Sequence, residues 1–413
     1  MTTTLVEDAV RSLYERYPYP PPEPDLDAFR DGRQMMSGSP RYFFHQYWPR
    51  RPFTEKLDVL VAGCGTSQAV KYALQQPDLR VTGIDVCAAS LARAEAWRER
   101  YQLENLTLRE LPLERAEELE QSFDLVISTG VLHHLPDPDA GLRVLRNVTR
   151  PEGALHLGVY ATYGRRGVIM LQEYCRRLGL EANDQTLAEL MATISEMPAE
   201  HPLAIFMSYG DDLRSPGAVA DAFLHPLDRP LTVPEVYAWL DRCGVRLMRW
   251  QHQAPYLPVC GRPATTPHAE RLATLPPAEQ HAAMELYRGN MIIHAFMACR
   301  DDRPETDHAV DFEGDAWRGS VPSRFEGAEV RAGPVPEGAA AVLHNRGHHD
   351  PDLVLALTPA HARLCALIDG QRTIDDIMAA SGIEATPEKL ALYTRSFFRA
   401  LWDHDQVLVR IPE

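Results

Sequence analysis

The sequence has no Cys-x-x-Cys pair, no apolar run of about 18 residues and no excess of positive charge, and each absence removes a class of function. Its seven cysteines, Cys64, Cys87, Cys175, Cys243, Cys260, Cys299 and Cys365, are scattered and odd in number. That argues against a disulfide framework and a zinc knuckle, and for a reducing compartment. Without a long apolar run, no membrane association is expected. The first residues interrupt their apolar positions with Glu7, Asp8, Arg11 and Glu15, which leaves no h-region of a signal peptide. A cytoplasmic protein is expected. Lys and Arg total 42 against 58 Asp and Glu, a formal charge of −16. Such a surface repels phosphate backbones, so nucleic acid is not an expected partner. No internal repeat of fixed period occurs either.

What remains is a chain of 413 residues, 45% hydrophobic, long enough to bury two or three units. Residues 1–54 hold a helix with Leu5, Ala9, Val10, Leu13, Tyr14 and Tyr17 on one side, ended by Pro18. A stiff run, Tyr17-Pro18-Tyr19-Pro20-Pro21-Pro22, and an aromatic segment at 41–48 follow. From 55 to about 160, strand and helix signals alternate: strands at 57–62, 80–85, 106–108, 123–128 and 154–160, helices at about 67–76, 88–101 and 139–148. A helical insertion is expected at about 163–235. A capping box, Thr232-x-x-Glu235, then opens a helix that Gly244 stops. Strands at 245–250 and 291–296 complete the set. This order predicts an α/β domain over 55–300, with a doubly wound, mostly parallel seven-stranded sheet and a helical cap. Residues 301–349, rich in Pro, Gly and acids, read as a linker, and 350–413 as a small helical unit.

The first strand runs into Ala62-Gly63-Cys64-Gly65-Thr66. Glycines let the backbone turn sharply and approach a ligand, and the next helix aims its free N–H groups at the turn. An anionic group belongs there. A dinucleotide fingerprint wants a small residue where Gln68 stands, and the lysine of a P-loop is missing. Asp85 ends the second strand, placed to accept both hydroxyls of a ribose. An adenosyl ribose with a carboxylate tail and no phosphates describes S-adenosylmethionine.

The segments Val61-Ala62-Gly63-Cys64-Gly65-Thr66, Gly83-Ile84-Asp85, Phe123-Asp124-Leu125-Val126 and Gly130-Val131-Leu132-His133-His134-Leu135 resemble the ordered motifs of class I S-adenosylmethionine-dependent methyltransferases. The Tyr-Pro-Tyr-Pro head is similar to that of a bacterial subgroup. The resemblance implies a Rossmann-like methyltransferase fold. It places Gly63, Cys64 and Gly65 along the methionine end of the cofactor and Asp85 on the ribose. It sets Leu113, within Glu110-Leu111-Pro112-Leu113-Glu114, beside the adenine, and Thr129 and Gly130 beside the sulfonium. The implied reaction is an in-line displacement, in which holding the nucleophile in line supplies roughly 7–11 kcal/mol and a base is optional.

Candidate catalytic residues are His133 and His134, which follow the fourth strand and can act as a base, and Tyr160 at the end of the fifth, with Tyr163 nearby. Tyr14, Tyr17 and Tyr19 are candidates for a lid, and 41–48 for a pocket wall, each set against ordinary packing. His225 and Asp228 are candidate substrate contacts or a plain turn. Arg165 and Arg166 can meet an acidic substrate or simply be solvated. His201, His225 and His252 are too dispersed in sequence to suggest a metal site, and none is expected.

Beyond Thr358 the sequence predicts three helices, started at Thr358-Pro359, Thr373 and Thr386-Pro387, and a strand at 406–410. This winged-helix-like pattern, through Leu367-Ile368-Asp369-Gly370 and Arg372-Thr373-Ile374, is similar to the small peptide-binding winged-helix proteins of pyrroloquinoline quinone biosynthesis. Its third helix carries only Lys389, Arg395 and Arg399 as bases, which favours peptide over DNA docking. Methyl transfer to a small-molecule acceptor is the leading expectation. Methylation of a peptide or carrier-bound substrate docked by the C-terminal unit, and a non-catalytic cofactor sensor, are the alternatives.

Overall fold

A computed structural model describes residues 3–20, 23–54, 56–208, 212–331 and 334–412. Pro21 and Pro22 of the proline run, and the side chain of Leu5, lie outside the described residues. The chain forms two compact units. The first comprises Met1–Arg41, Thr54–Leu247 and Gly289–Asp302, and the second Tyr42–Phe53, Met248–Arg288 and Arg303–Glu413.

Seven strands build the sheet of the first unit: β1 Asp58–Ala62, β2 Arg80–Asp85, β3 Leu106–Glu110, β4 Phe123–Thr129, β5 Thr149–Tyr160, β6 Val245–Trp250 and β7 Ile293–Arg300. Their order is β3-β2-β1-β4-β5-β7-β6. β1, β2, β3, β4 and β5 run parallel, and β7 pairs antiparallel with β5. All five residues of β1 are buried, as expected of a central parallel strand covered on both faces. Helices Gln68–Gln75, Ala88–Tyr101 and Pro138–Val148 follow the strands in the alternating order that the sequence predicts. Asp137 caps the last of these by accepting from Ala140 N, and the Thr232–Glu235 capping box is formed. At the N-terminal edge of the strands, Asp58 and Asp124 share the Arg150 guanidinium at 2.7 and 2.5 Å. The opposite, C-terminal edge is left for ligands.

Order reverses at β1, since β2 lies on one side and β4 on the other. That switch point opens a crevice beyond the strand ends, where ligands bind in such sheets. The expected insertion is helical: Arg166–Arg177, Asp184–Ser195, Leu203–Met207 and Pro216–Leu224. Its apolar faces pack into one core through Val168, Leu171, Leu187, Leu190, Val219 and Phe223, which also takes in Leu13 of the first helix, Thr3–Arg16, and Tyr17 just after it.

The second unit departs from the sequence reading. Residues 301–349 do not serve as a plain linker, for they contribute β8 Val321–Arg324, β9 Ala328–Val330 and β10 Ala341–Asn345. β10 pairs with β11, Val354–Leu357, and β8 with β12, Val407–Arg410. The Pro and Gly content masked Trp317, Val321, Phe325 and Leu343, all buried. The three helices expected at the C-terminus are present as Pro359–Ala366, Ile374–Ala380 and Pro387–Asp403, each N-capped by its threonine. The aromatic helix Pro40–Tyr47 reaches into this unit: Phe43 meets Phe325 at 5.4 Å between ring centroids.

Candidate functional site

A cavity of about 410 Å³ opens at the C-terminal edge of β1, β2, β4 and β5. That is room for a drug-sized ligand. Its floor is the Gly63–Gln68 turn. Gly63 and Gly65 have φ of +76° and +54°, the left-handed region that glycine enters without penalty. A Cβ on Gly63 would lie 2.4 Å from Val131 Cγ2, so glycine there is a packing necessity. A Cβ on Gly130, also at φ +76°, would meet nothing within 4 Å. Bare backbone is thus kept where the neighbour is the cavity rather than protein.

Asp85 sits on the β2 side of this turn. Gly65 N–H donates to its Oδ2 at 2.8 Å and Cys87 N–H to its Oδ1 at 2.9 Å. Burial pushes its carboxyl above the ordinary value, while those backbone donors pull it down. A carboxylate accepts about four hydrogen bonds, so capacity remains for a ligand. Leu111, Leu113 and Glu114 line the wall beyond β3, and Gln68 joins the turn to β4 by donating to Thr129 Oγ1 at 2.7 Å.

The β4 and β5 side is polar and aromatic. Tyr14, Tyr19, His134, Tyr160 and Asp221 line it. Asp221, 5% exposed, accepts from Tyr14 at 2.7 Å and from Tyr160 at 3.3 Å. Burial, reinforced by Asp221, pushes both phenols well above their ordinary range, so both keep their protons. Burial raises the Asp221 carboxyl as well, opposed by His134, the Tyr14 hydroxyl and Arg165. Nδ1 of His134 lies 2.7 Å from the Leu227 carbonyl. A carbonyl only accepts, so in the neutral ring Nδ1 carries the proton and Nε2 the lone pair. That Nε2 has no partner among the described residues.

The site residues expected from the sequence fall into two groups. Gly63, Cys64, Gly65, Asp85, Leu113, Thr129, Gly130, His134 and Tyr160 all line the cavity, and so do Tyr14 and Tyr19. His133 lies behind the wall, buried, with its ring 4.2 Å from that of Tyr160. Burial holds its pKa well below the usual histidine range, so it stays neutral. Tyr17 donates instead to Asp184 at 2.6 Å, and no residue of 41–48 lines the cavity. Tyr163 and Arg166 also lie off the lining. Arg165 is buried rather than solvated, its guanidinium carbon 3.6 Å from the Tyr160 ring centroid. Asp228 holds Gln172 at 2.8 Å and faces Arg165 at 3.7 Å.

His201, His225 and His252 are not brought together, but other histidines are. His225 packs against His134 with ring centroids 4.0 Å apart and planes tilted by 39°, brought there by the cap. Ligand atoms of His133, His134 and Asp228 lie within 4.8 Å of one another, a grouping able to hold a metal ion although none was expected. A second such group, His252, His348 and Asp405, belongs to the other unit, where Asp405 already binds Arg249 at 2.6 Å. Asp221 and Gln68 were missed as site residues. The signal for Asp221 was a single acid inside the apolar helix Pro216–Leu224.

Residues 60–155 match the family described as "Methyltransferase domain". An uncharacterized Synechococcus protein is 29% identical over 267 residues, 60% of this chain and 62% of its own. The trans-aconitate 2-methyltransferase of Deinococcus radiodurans is 37% identical over 116 residues, 28% of this chain and 41% of its own. The chain thus spans less than two thirds of these curated relatives. Among solved structures, PKMT2 from Rickettsia typhi in complex with AdoHcy superposes with a TM-score of 0.65 at 14% identity, covering 94% of this chain and 77% of that one. The sheet is therefore of the Rossmann-like methyltransferase type, and residues 60–155 are similar to a methyltransferase domain.

Proposed function

We propose that this chain is an S-adenosylmethionine-dependent methyltransferase acting on a small-molecule acceptor, and the observation that carries it is one cavity with two unlike ends. One end offers a bare-backbone turn and a buried acid, and the other a polar cage. The cofactor fits the first end by its chemistry. The N–H groups of Gly63, Cys64, Gly65 and Gln68 are spent within the protein, so those of Thr66 and Ser67 suit a carboxylate tail, while Asp85 suits ribose hydroxyls and Leu111 and Leu113 suit an aromatic base. Gly130 leaves open space where a side chain would intrude.

When bound, S-adenosylmethionine supplies a methyl group on a cationic sulfur that departs as a neutral thioether. The protein's own residues do the rest. Asp85 and the glycine turn hold the cofactor on the β1–β2 side. Thr129 and Gly130, at the end of β4, lie between that grip and the cage. His134, Tyr14, Tyr160 and Asp221 face the acceptor, and Tyr14 and Tyr19, from the N-terminal segment, help to exclude water. His134, which lines this side of the cavity, is the candidate base.

Calorimetry with S-adenosylhomocysteine, followed by transfer of label from methyl-labelled cofactor into a metabolite extract, tests this reading. Binding with label in low-mass products supports it. No binding, or binding with no transfer to any extract, refutes it.

A further inference from the structure

We propose that His133, His134 and Asp228 hold a divalent transition-metal ion of the zinc class, which ties the turn after β4 to the helical cap. This goes beyond the methyltransferase reading and does not depend on it.

The ligand atoms lie within 4.8 Å of one another and come from two parts of the first unit. His133 and His134 belong to the short turn Leu132–His134 after β4, and Asp228 follows the cap helix Pro216–Leu224. His133 is 1% exposed, His134 7% and the Asp228 side chain 4%. Polar atoms buried this far normally have a partner. Both ring nitrogens of His133, Nε2 of His134 and Oδ1 of Asp228 have none among the described residues. Orphaned donor atoms gathered in one buried group call for an occupant.

The remaining atoms of two of these residues are already held as ligands require. Nδ1 of His134 donates to the Leu227 carbonyl at 2.7 Å, which leaves the Nε2 lone pair for an ion. Oδ2 of Asp228 accepts from Gln172 at 2.8 Å, which leaves Oδ1. Metal-bound imidazoles and carboxylates are fixed from outside in this way. His133 can bind through either nitrogen. His225 packs on His134 but is no ligand: its Nδ1 accepts from Leu227 N–H at 3.1 Å, so in the neutral ring Nε2 keeps the proton.

The donor set selects the ion. Two imidazoles and one carboxylate suit zinc and its first-row neighbours, whereas magnesium and calcium want oxygen ligands. Ligand atoms about 2.1 Å from one ion stand at most about 4.2 Å apart, so binding draws the group together by a fraction of an ångström. Arg165 faces Oδ2 of Asp228 at 3.7 Å, but two carboxylates, Asp228 and Asp221, both feel that one guanidinium, and a cation is tolerated. The free donor atoms are shut off from solvent, so the ion is structural. His134 then holds the ion instead of serving as a base, and methyl transfer proceeds by positioning alone.

The test uses full-length protein produced with zinc, dialysed against metal-free buffer and measured by elemental analysis. About one zinc per chain is expected, and no magnesium after production with magnesium. His133→Asn and Asp228→Asn should each lower the zinc content to about a tenth or less, while His252→Gln, in the grouping of the second unit, leaves it unchanged. Protein produced with cobalt should show visible ligand-field bands that Asp228→Asn abolishes. Stripping the parent with a chelator should lower its melting temperature by about 5 °C or more, restored by zinc, whereas the melting of Asp228→Asn responds to neither. A parent without zinc, zinc that survives in both His133→Asn and Asp228→Asn, or zinc lost only in His252→Gln overturns the proposal.

Discussion

Replacing Asp85 by Ala separates the carboxylate's two duties. In the free protein it accepts from Gly65 N–H at 2.8 Å and Cys87 N–H at 2.9 Å, which pins the turn against β2. On the proposed reading it also accepts two ribose hydroxyls of the bound cofactor. A hydrogen bond to a charged group contributes about 1.5–3 kcal/mol, so two ribose contacts amount to roughly 3–6 kcal/mol. That corresponds to a weakening of at least about a hundredfold in S-adenosylhomocysteine affinity. The two backbone donors also lose their partner, which loosens the turn and lowers the melting temperature by a few degrees. Asp85→Asn keeps one acceptor oxygen and should fall between. Burial raises the Asp85 carboxyl, and the ribose contacts need it ionised. Affinity therefore falls as pH is lowered, starting above the ordinary carboxylate range, and Asp85→Asn removes that dependence. Calorimetry across pH 4.5–8 reads all three quantities. Unchanged affinity in Asp85→Ala would refute the assignment of Asp85 to the ribose, and with it the orientation of the cofactor.

Two glycine variants should diverge. Gly63→Ala places a Cβ 2.4 Å from Val131 Cγ2 at φ +76°, so it lowers stability by roughly 2–4 kcal/mol, read by chemical denaturation. Gly130→Ala meets no protein atom within 4 Å, so its stability falls by only about 1–2 kcal/mol while cofactor affinity falls at least tenfold; equal profiles for the two would contradict the placement. In the second unit, Arg249 and Asp405 form an ion pair with side chains 8% and 3% exposed. Arg249→Met strands the carboxylate with His348 and the Ala254 N–H as remaining partners, at a cost of about 3–5 kcal/mol measured in urea. His281 accepts from Trp250 Nε1–H at 3.0 Å, and burial lowers its pKa from 6.5 to about 4. A depressed histidine pKa means that the unfolded chain binds the proton more readily. Stability is then fully present above pH 6.5 and falls on acidification towards pH 4, by roughly 3 kcal/mol; His281→Phe should flatten that slope.

The alternation of strands and helices, the helix caps and the turn that carries Gly63 and Gly65 are all local, and they were legible in the sequence. A buried parallel strand announces itself as a short apolar run, and glycine marks the backbone positions that only glycine can hold. Asp85 was legible for the same reason, because its place at the end of β2 follows from strand length. Other features are not local. β7 enters between β5 and β6, an arrangement that neither strand's composition encodes. The segment 301–349 reads as linker by its Pro and Gly content, yet its spaced apolar residues find partners far along the chain, as when β8 pairs with β12.

The cage shows the division most clearly. Tyr14 and Asp221 stand 207 positions apart, and His134 meets His225 only because the helical cap folds back over the sheet. Sequence alone determined where the glycine-turn end of the cavity is built, since periodicity and backbone conformation act over a few residues. Tertiary packing alone decided which protons are already spent at the other end. Hydrogen-bond commitment belongs to pairs of atoms in space, and no single stretch of chain contains both members of the pair.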